Sequence, residues 1–244
     1  MKNFLQDLVS HTHALGVIDL LKVTSTNTET LIEGIATDKT VILYAKTKTP
    51  VTEFDGVFGM PNLNKLDIIL KCPEYKENGV IIPVKEQTPS GSYEHRSIHF
   101  ENQDGDFQNE YRLMAPNVIT AKMQSVNFKG ATWDITLNPS ISNIQRLKFQ
   151  ANVHSEESMV ESIYDNGNLI FKFGDANTHA GSFVFESNVV GKLKNSWLWP
   201  VSQLIGILNL TGDCVMQISD GGMMQITVDS GITEYNYLIP ALTK

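Results

Sequence analysis

The sequence predicts an α+β fold built from two similar halves, and three observations carry that reading. Short strand-like runs of alternating apolar and polar residues dominate the 244 residues. Amphipathic helical stretches are confined to four places. The order of helix, strands, helix and strands then repeats, which argues for an internal duplication. Helices segregated from runs of consecutive strands indicate α+β and not α/β.

The first helix is expected over Lys2–Leu15, with Phe4, Leu5, Leu8, Val9 and Leu15 turned inward and His11 and His13 mostly outward. Strand-like runs follow at Gly16–Val23, Thr30–Ala36, Val41–Lys46 and Val51–Phe58, separated by polar turns such as Ser25-Thr26-Asn27-Thr28-Glu29. Pro61 precedes a second helix that places Leu63, Leu66 and Leu70 on one side. Strands then read at Val80–Val84, Tyr93–Phe100 and Asn109–Met114. Ala115-Pro116-Asn117 breaks the pattern, and residues 116–130 show no clear element, so they read as a connector between a domain at 1–115 and a domain at 131–244.

The second half opens with a strand over Ala131–Leu137, ended by Asn138-Pro139. A helix over Ser140–Val153 follows, with Ser140 or Ser142 as its cap and Ile144, Leu147 and Ala151 as its buried stripe. Asp165-Asn166-Gly167-Asn168 is a tight hairpin signal between two strands. Pro200 is expected in the first turn of the last helix, whose Val201, Leu204, Ile205 and Leu208 share a face. Asp220-Gly221-Gly222 then joins two strands, and a final strand runs into Tyr237-Leu238-Ile239-Pro240.

An apolar fraction of 41% with 19% charged residues belongs to a soluble globular chain. No apolar run approaches the roughly 20 residues of a membrane helix, and an early Asp7 argues against a signal peptide. Two cysteines, Cys72 and Cys214, give no disulfide framework, so a reducing, cytoplasmic setting is expected. The net charge of −8 speaks against general nucleic-acid adhesion. The helices reverse that balance: they carry Lys2, Lys65, Lys71, Arg146 and Lys148 against Asp7 and Asp67.

Nothing in the chain is arranged for catalysis. It has no nucleophile elbow, no P-loop, no dinucleotide fingerprint and no C-x-x-C pair. His95 and His99 share a strand face but lack a third ligand, and Asp104-Gly105-Asp106 reads as a turn, so neither a metal nor a cofactor is expected.

Four stretches, in their order and spacing, resemble the DNA polymerase sliding clamps, most closely the two-domain, trimer-forming type of tailed phages. They are Leu63–Cys72, Asn109–Met114, Asp134–Leu137 with Ile141–Leu147, and the Tyr237-Leu238-Ile239-Pro240 tail. The resemblance implies duplicated clamp domains with inner helices packed on outer antiparallel sheets, closed head to tail into a homotrimeric ring. It implies a non-enzymatic scaffold that encircles double-stranded DNA, is placed there by a clamp loader, and holds the DNA polymerase, in the host cytoplasm if phage-encoded. Lys2, Lys65, Lys71, Arg146 and Lys148 are then the expected DNA contacts. Val118, Ile119, Met223, Tyr237, Ile239 and Pro240 are the expected partner-peptide pocket. Tyr111, Leu113, Leu169 and Phe171 fall on the expected interface strands, Asn109–Met114 and Asn168–Phe173. The last helix departs from the pattern in having no Lys or Arg, unless Lys192 and Lys194 compensate. The competing reading is a structural or binding protein with duplicated α+β domains and no ring.

Overall fold

A helix, four strands, a second helix and three more strands occur twice along the chain. This order comes from a computed structural model that describes residues 1–76, 78–89, 91–123, 130–175, 177 and 179–242. The chain falls into two units. The first comprises Met1–Thr37, Leu43–Asn127 and Ser230–Tyr235, and the second Asp38–Ile42, Phe128–Asp229 and Asn236–Lys244.

The first pass through the pattern is α1 (Lys2–His11), β1 (Leu20–Ser25), β2 (Thr30–Ile35), β3 (Ile42–Thr47), β4 (Gly56–Pro61), α2 (Leu63–Lys71), β5 (Val80–Gln87), β6 (Tyr93–Glu101) and β7 (Gln108–Arg112). A short helix, α3 (Pro116–Lys122), follows it, and then the brief strand β8 (Ile135–Leu137). The second pass is α4 (Ile141–Val153), β9 (Met159–Asp165), β10 (Asn168–Phe173), β11 (Gly181–Glu186), β12 (Trp197–Pro200), α5 (Val201–Leu208), β13 (Asp213–Ser219), β14 (Met223–Asp229) and β15 (Thr233–Pro240). In both passes the first four strands adopt the same order, β3-β2-β1-β4 and β11-β10-β9-β12. The next three form β5-β6-β7 in the first and β13-β14-β15 in the second, the latter with β8 beside β13. The α+β expectation and the duplication both hold.

The sheets are one-sided. Burial alternates strictly along β1, β2, β10 and β14, as an antiparallel sheet with one covered face requires. Leu63, Leu66 and Leu70 of α2 and Val201, Leu204 and Leu208 of α5 are buried, while Ile205 is only half-buried. Trp199 is fully buried and its indole N–H donates to Ser162 Oγ at 2.8 Å, which satisfies its one polar atom. Ser140 caps α4, its Oγ accepting from the Asn143 amide at 3.1 Å.

Pro61 and Pro200 each close a strand directly before a helix. Pro61 stands ahead of the Asn62 cap of α2, and Pro200 is itself the cap of α5, one position before the expected first turn. Pro61 pairs with Leu20 at the end of β4, and Pro200 pairs with Met159 at the end of β12. Each of these strands ends its sheet, where a missing amide donor is tolerated. Asn62 then turns the chain into α2 at φ 54°, a left-handed conformation that asparagine accepts readily. Asn166 and Gly167, both at positive φ, join the paired ends Asp165 and Asn168 of a two-residue hairpin.

The expected connector is not featureless. Its first half is α3, started by Pro116, while residues 124–129 lie outside the described residues. Ile119 seats this helix on β4. A Cβ at Gly59 would stand 2.8 Å from Ile119 Cδ1, so only glycine admits the approach. Met114 and Gly59 exchange backbone hydrogen bonds of 3.0 and 2.8 Å just before it. Gly59→Val should therefore lift α3 and cost about 1–3 kcal/mol by overpacking. Urea denaturation and the rate of tryptic cutting at Lys122 would show both effects.

Candidate functional site

The helices present few free cations. In unit 1 the Lys2 ammonium donates to the carbonyls of Tyr75 and Lys76 at 2.6 and 2.9 Å, closing the turn that follows α2. Lys71 pairs with Asp67 one turn earlier at 2.6 Å but remains largely exposed. Lys65 is exposed, and among the described residues its ammonium has no hydrogen-bonding partner. Between α1 and α2 lies a cleft of about 590 Å³ floored by Val9 and Leu70, with Ser10, His13 and Lys71 among its polar lining.

In unit 2, Arg146 donates from Nη1 to the Val184 carbonyl of β11 at 2.9 Å, and its guanidinium lies 5.3 Å from the Phe183 ring centroid. Asn143, one turn earlier, donates to Glu186 of the same strand at 3.0 Å. This side of α4 is therefore committed to β11. Lys148 is half-buried, and α5 carries no charge at all. What α4 exposes instead is apolar: Ile141, Phe149 and Val153. Ile68 is exposed on α2 in the same way.

Sheet edges are the second feature. Six strands end a sheet: β4, β8, β12, β5, β7 and β11. Met114 bridges to β4 at Gly59, Gly191 to β8 at Ile135, and Leu242 to β12 at Leu198. Along β5, Pro83 removes a donor, which blunts an edge, and the register shifts both in the β5–β6 pair at Val84/Lys85 and in the β10–β11 pair at Leu169/Ile170. Among the described residues, β5 and β7 in unit 1 and β11 in unit 2 have no bridge on their outer side, and of these β7 and β11 hold no proline. Leu113 donates its amide to Arg96 of β6 at 3.0 Å. By the alternation of an antiparallel ladder, Tyr111 also turns its backbone inward, and Glu110 and Arg112 turn theirs outward.

Three solved structures share the fold of this chain. They are the A. fulgidus PCNA bound to the C-terminal region of FEN-1, the PCNA of Thermococcus kodakaraensis, and the Proliferating Cellular Nuclear Antigen of Entamoeba histolytica. Each matches with a TM-score of 0.70, at 9%, 11% and 10% identity in that order. The alignments cover 100%, 99% and 99% of this chain and 97%, 97% and 96% of theirs. The chain has the PCNA-type clamp fold. No protein-family model and no curated protein sequence matches it, so the likeness is one of fold.

Within the clamp fold, the expected interface residues Tyr111, Leu113, Leu169 and Phe171 are all buried. Tyr111 also ties β7 down, its hydroxyl donating to the Pro61 carbonyl at 2.5 Å. The expectation that Asn168–Phe173 is an edge is corrected: β10 is paired on both sides, to β9 and β11. The edge is its neighbour β11. Of the expected peptide-pocket residues, Val118 on α3 is exposed and Ile119 is fully buried in unit 1. In unit 2, Tyr237 and Ile239 are fully buried, and Met223 and Pro240 are half-buried.

Two polar clusters escaped the sequence reading. His11, expected outward, is buried and stacks on Tyr235 with ring centroids 4.6 Å apart. Asp7 accepts from Tyr235 Oη at 2.8 Å and Ser230 Oγ at 3.0 Å, and its other oxygen lies 3.2 Å from His11 Nδ1. Burial alone would raise the Asp7 carboxyl, but the hydrogen bonds from His11, Tyr235 and Ser230 outweigh it and the net shift is downward. The other cluster centres on His99, held between Glu101 and Glu110. Among the described residues no helix is long and apolar enough to cross a membrane, and no group of three side chains is placed to hold a metal.

Proposed function

We propose that the chain is the subunit of a DNA sliding clamp, a head-to-tail homotrimer that encircles duplex DNA and tethers a replicative polymerase. One observation carries the proposal: a chain with the PCNA-type fold leaves two different sheet edges open and free of proline, β7 in one unit and β11 in the other. Two unlike edges cannot form an isologous contact. Pairing β7 of one copy with β11 of the next is heterologous, and such contacts close into rings when the rotation returns to its start. The helices that carry exposed apolar residues pack beside these strands, α2 with Ile68 against β7 and α4 with Phe149 and Val153 against β11. They give the seam an apolar strip along its ladder.

The ring acts as a scaffold without catalysis of its own, in the cytoplasm, placed on DNA by a loader. The tailed-phage type is part of the proposal and rests on the resemblance of the sequence alone. In A. fulgidus the clamp holds the C-terminal region of FEN-1. Partner segments of that sort are proposed for this chain as well. Val118 in unit 1, and Met223 and Pro240 in unit 2, are the expected pocket residues that have surface to offer.

DNA lies against the helices in this reading, with Lys65, which is exposed, and Lys71, paired to Asp67 yet largely exposed, the cations most accessible to phosphates. Lys65→Ala with Lys71→Ala should lower the salt slope of retention on DNA by up to about one unit for each phosphate that is no longer neutralised. Thermal stability should change by no more than about 0.5 kcal/mol, since both side chains are exposed. Lys2→Ala and Arg146→Ala should instead lower the melting temperature, because both cations hold backbone carbonyls.

A ring-free structural protein is favoured by one observation, the net charge of −8 with three of five helix cations already engaged. Light scattering at micromolar concentration separates the readings. A trimer that stays on circular DNA and runs off linear DNA supports the clamp, and a monomer or an isologous dimer overturns it.

A further inference from the structure

The outward face of the β5-β6-β7 sheet carries a histidine with a carboxylate on each side. His99 of β6 stands opposite Glu110 of β7 and Ile82 of β5. Its Nδ1 is 2.7 Å from Glu110 Oε1 and its Nε2 is 3.0 Å from Glu101 Oε2. A neutral imidazole has one N–H, so it can donate to only one of two carboxylates, whereas an imidazolium donates to both. The geometry is therefore that of the charged ring. The other groups facing it are few. Gln108 of β7 donates to the same Glu101 oxygen at 3.1 Å, Arg112 of β7 acts on Glu110, and β5 contributes only the apolar Val80 and Ile82.

This bridge spans β6 and β7, and β7 is an open edge of unit 1. Glu110 is also one of the residues whose backbone turns outward, so the side chain held by His99 belongs to a rung of the open edge. Loss of the proton leaves a ring that donates to one carboxylate in place of two, with Gln108 still on Glu101 and Ser97 and Arg112 still acting on Glu110. Like charges brought close across a ladder destabilise the pairing.

We propose that His99 is a proton-operated clasp on β7, closed when the ring is charged and loosened when it is neutral, and that association of subunits through β7 follows the same proton. The association half rests on the clamp reading above, and the clasp itself does not. Hydrogen bonds to Glu101 and then to Glu110 hold His99 above the ordinary histidine range. A raised folded value means that the clasp is complete below the unfolded value of about 6.5 and is lost as pH rises through the folded one.

The test needs no ligand and uses the whole chain: sedimentation velocity across about pH 6 to about pH 9, alongside histidine C2-proton titration by NMR. The subunit dissociation constant should rise roughly fivefold to tenfold over that range, in step with His99. His99→Gln should hold the weaker value at every pH, and Glu110→Gln should flatten the curve. A wild-type curve that is flat, or one that His99→Gln leaves unchanged, overturns the coupling to assembly. A chain that is monomeric throughout overturns the ring, and amide exchange of β7 then reads the clasp alone. Protection that falls as His99 deprotonates upholds the clasp, and protection that ignores it sinks it.

Discussion

Asp7→Ala is expected to lower the stability of the chain by about 3–5 kcal/mol, the range for removing one partner from a buried charged network. The carboxylate is nearly inaccessible and serves three donors drawn from two distant stretches of sequence, α1 and residues 230–235. Without it the buried Tyr235 hydroxyl loses its 2.8 Å hydrogen bond to the carboxylate. Asp7→Asn keeps an acceptor oxygen and gives up the charge, so about 1–2 kcal/mol should be lost. Urea denaturation at neutral pH measures both. The sign of the pH dependence is a further check. Because the folded carboxyl sits below its usual value, its contribution is present above about pH 4 and is lost as pH falls through the folded value. Asp7→Asn should remove that part of the acid sensitivity. A loss below about 1 kcal/mol in Asp7→Ala would mean that the network is dispensable.

The same residues show what could be read from the sequence and what could not. Helical spacing marked the buried stripes of α2 and α5, and Asn-Gly marked the β9–β10 turn, because both signals are local. The fate of His11 was not local. Its helix position reads as outward, and the ring it stacks on lies on Tyr235, in the segment that reaches Asp7 across 228 residues. Pro116 reads as a breaker, yet proline is equally at home in the first turn of a helix, and α3 begins there. Sheet order is the least visible property. Leu169 and Phe171 alternate as edge or central residues would, and only the pairing of β10 on both sides excludes the edge. The helix cations show a similar gap. Their number could be counted, but not that Lys2 and Arg146 are already committed to carbonyls.

If the proposed ring closes through β7, proline at Arg112 should dissociate it and leave the subunit folded. The choice of residue follows from the ladder. Leu113 gives its amide to Arg96 within the sheet, so a proline at 113 would break the fold along with any interface and could not separate the two. Arg112 lies one residue away, exposed, with its backbone turned outward. Proline is tolerated on an edge strand when the missing donor faces out, so β7 should stay paired to β6. A neighbouring strand would meet the pyrrolidine ring where it needs a donor. The loss of a ladder bond together with that steric block should weaken association by about a hundredfold, some 3 kcal/mol. Light scattering should show monomer at concentrations where the wild type is trimeric, with far-ultraviolet circular dichroism unchanged and the melting temperature lowered only by what the trimer contributed. Arg112→Ala separates the backbone from the side chain: it keeps the amide and should keep the trimer. If Arg112→Pro remains trimeric, β7 is not the seam strand, and the ring must close through other surfaces.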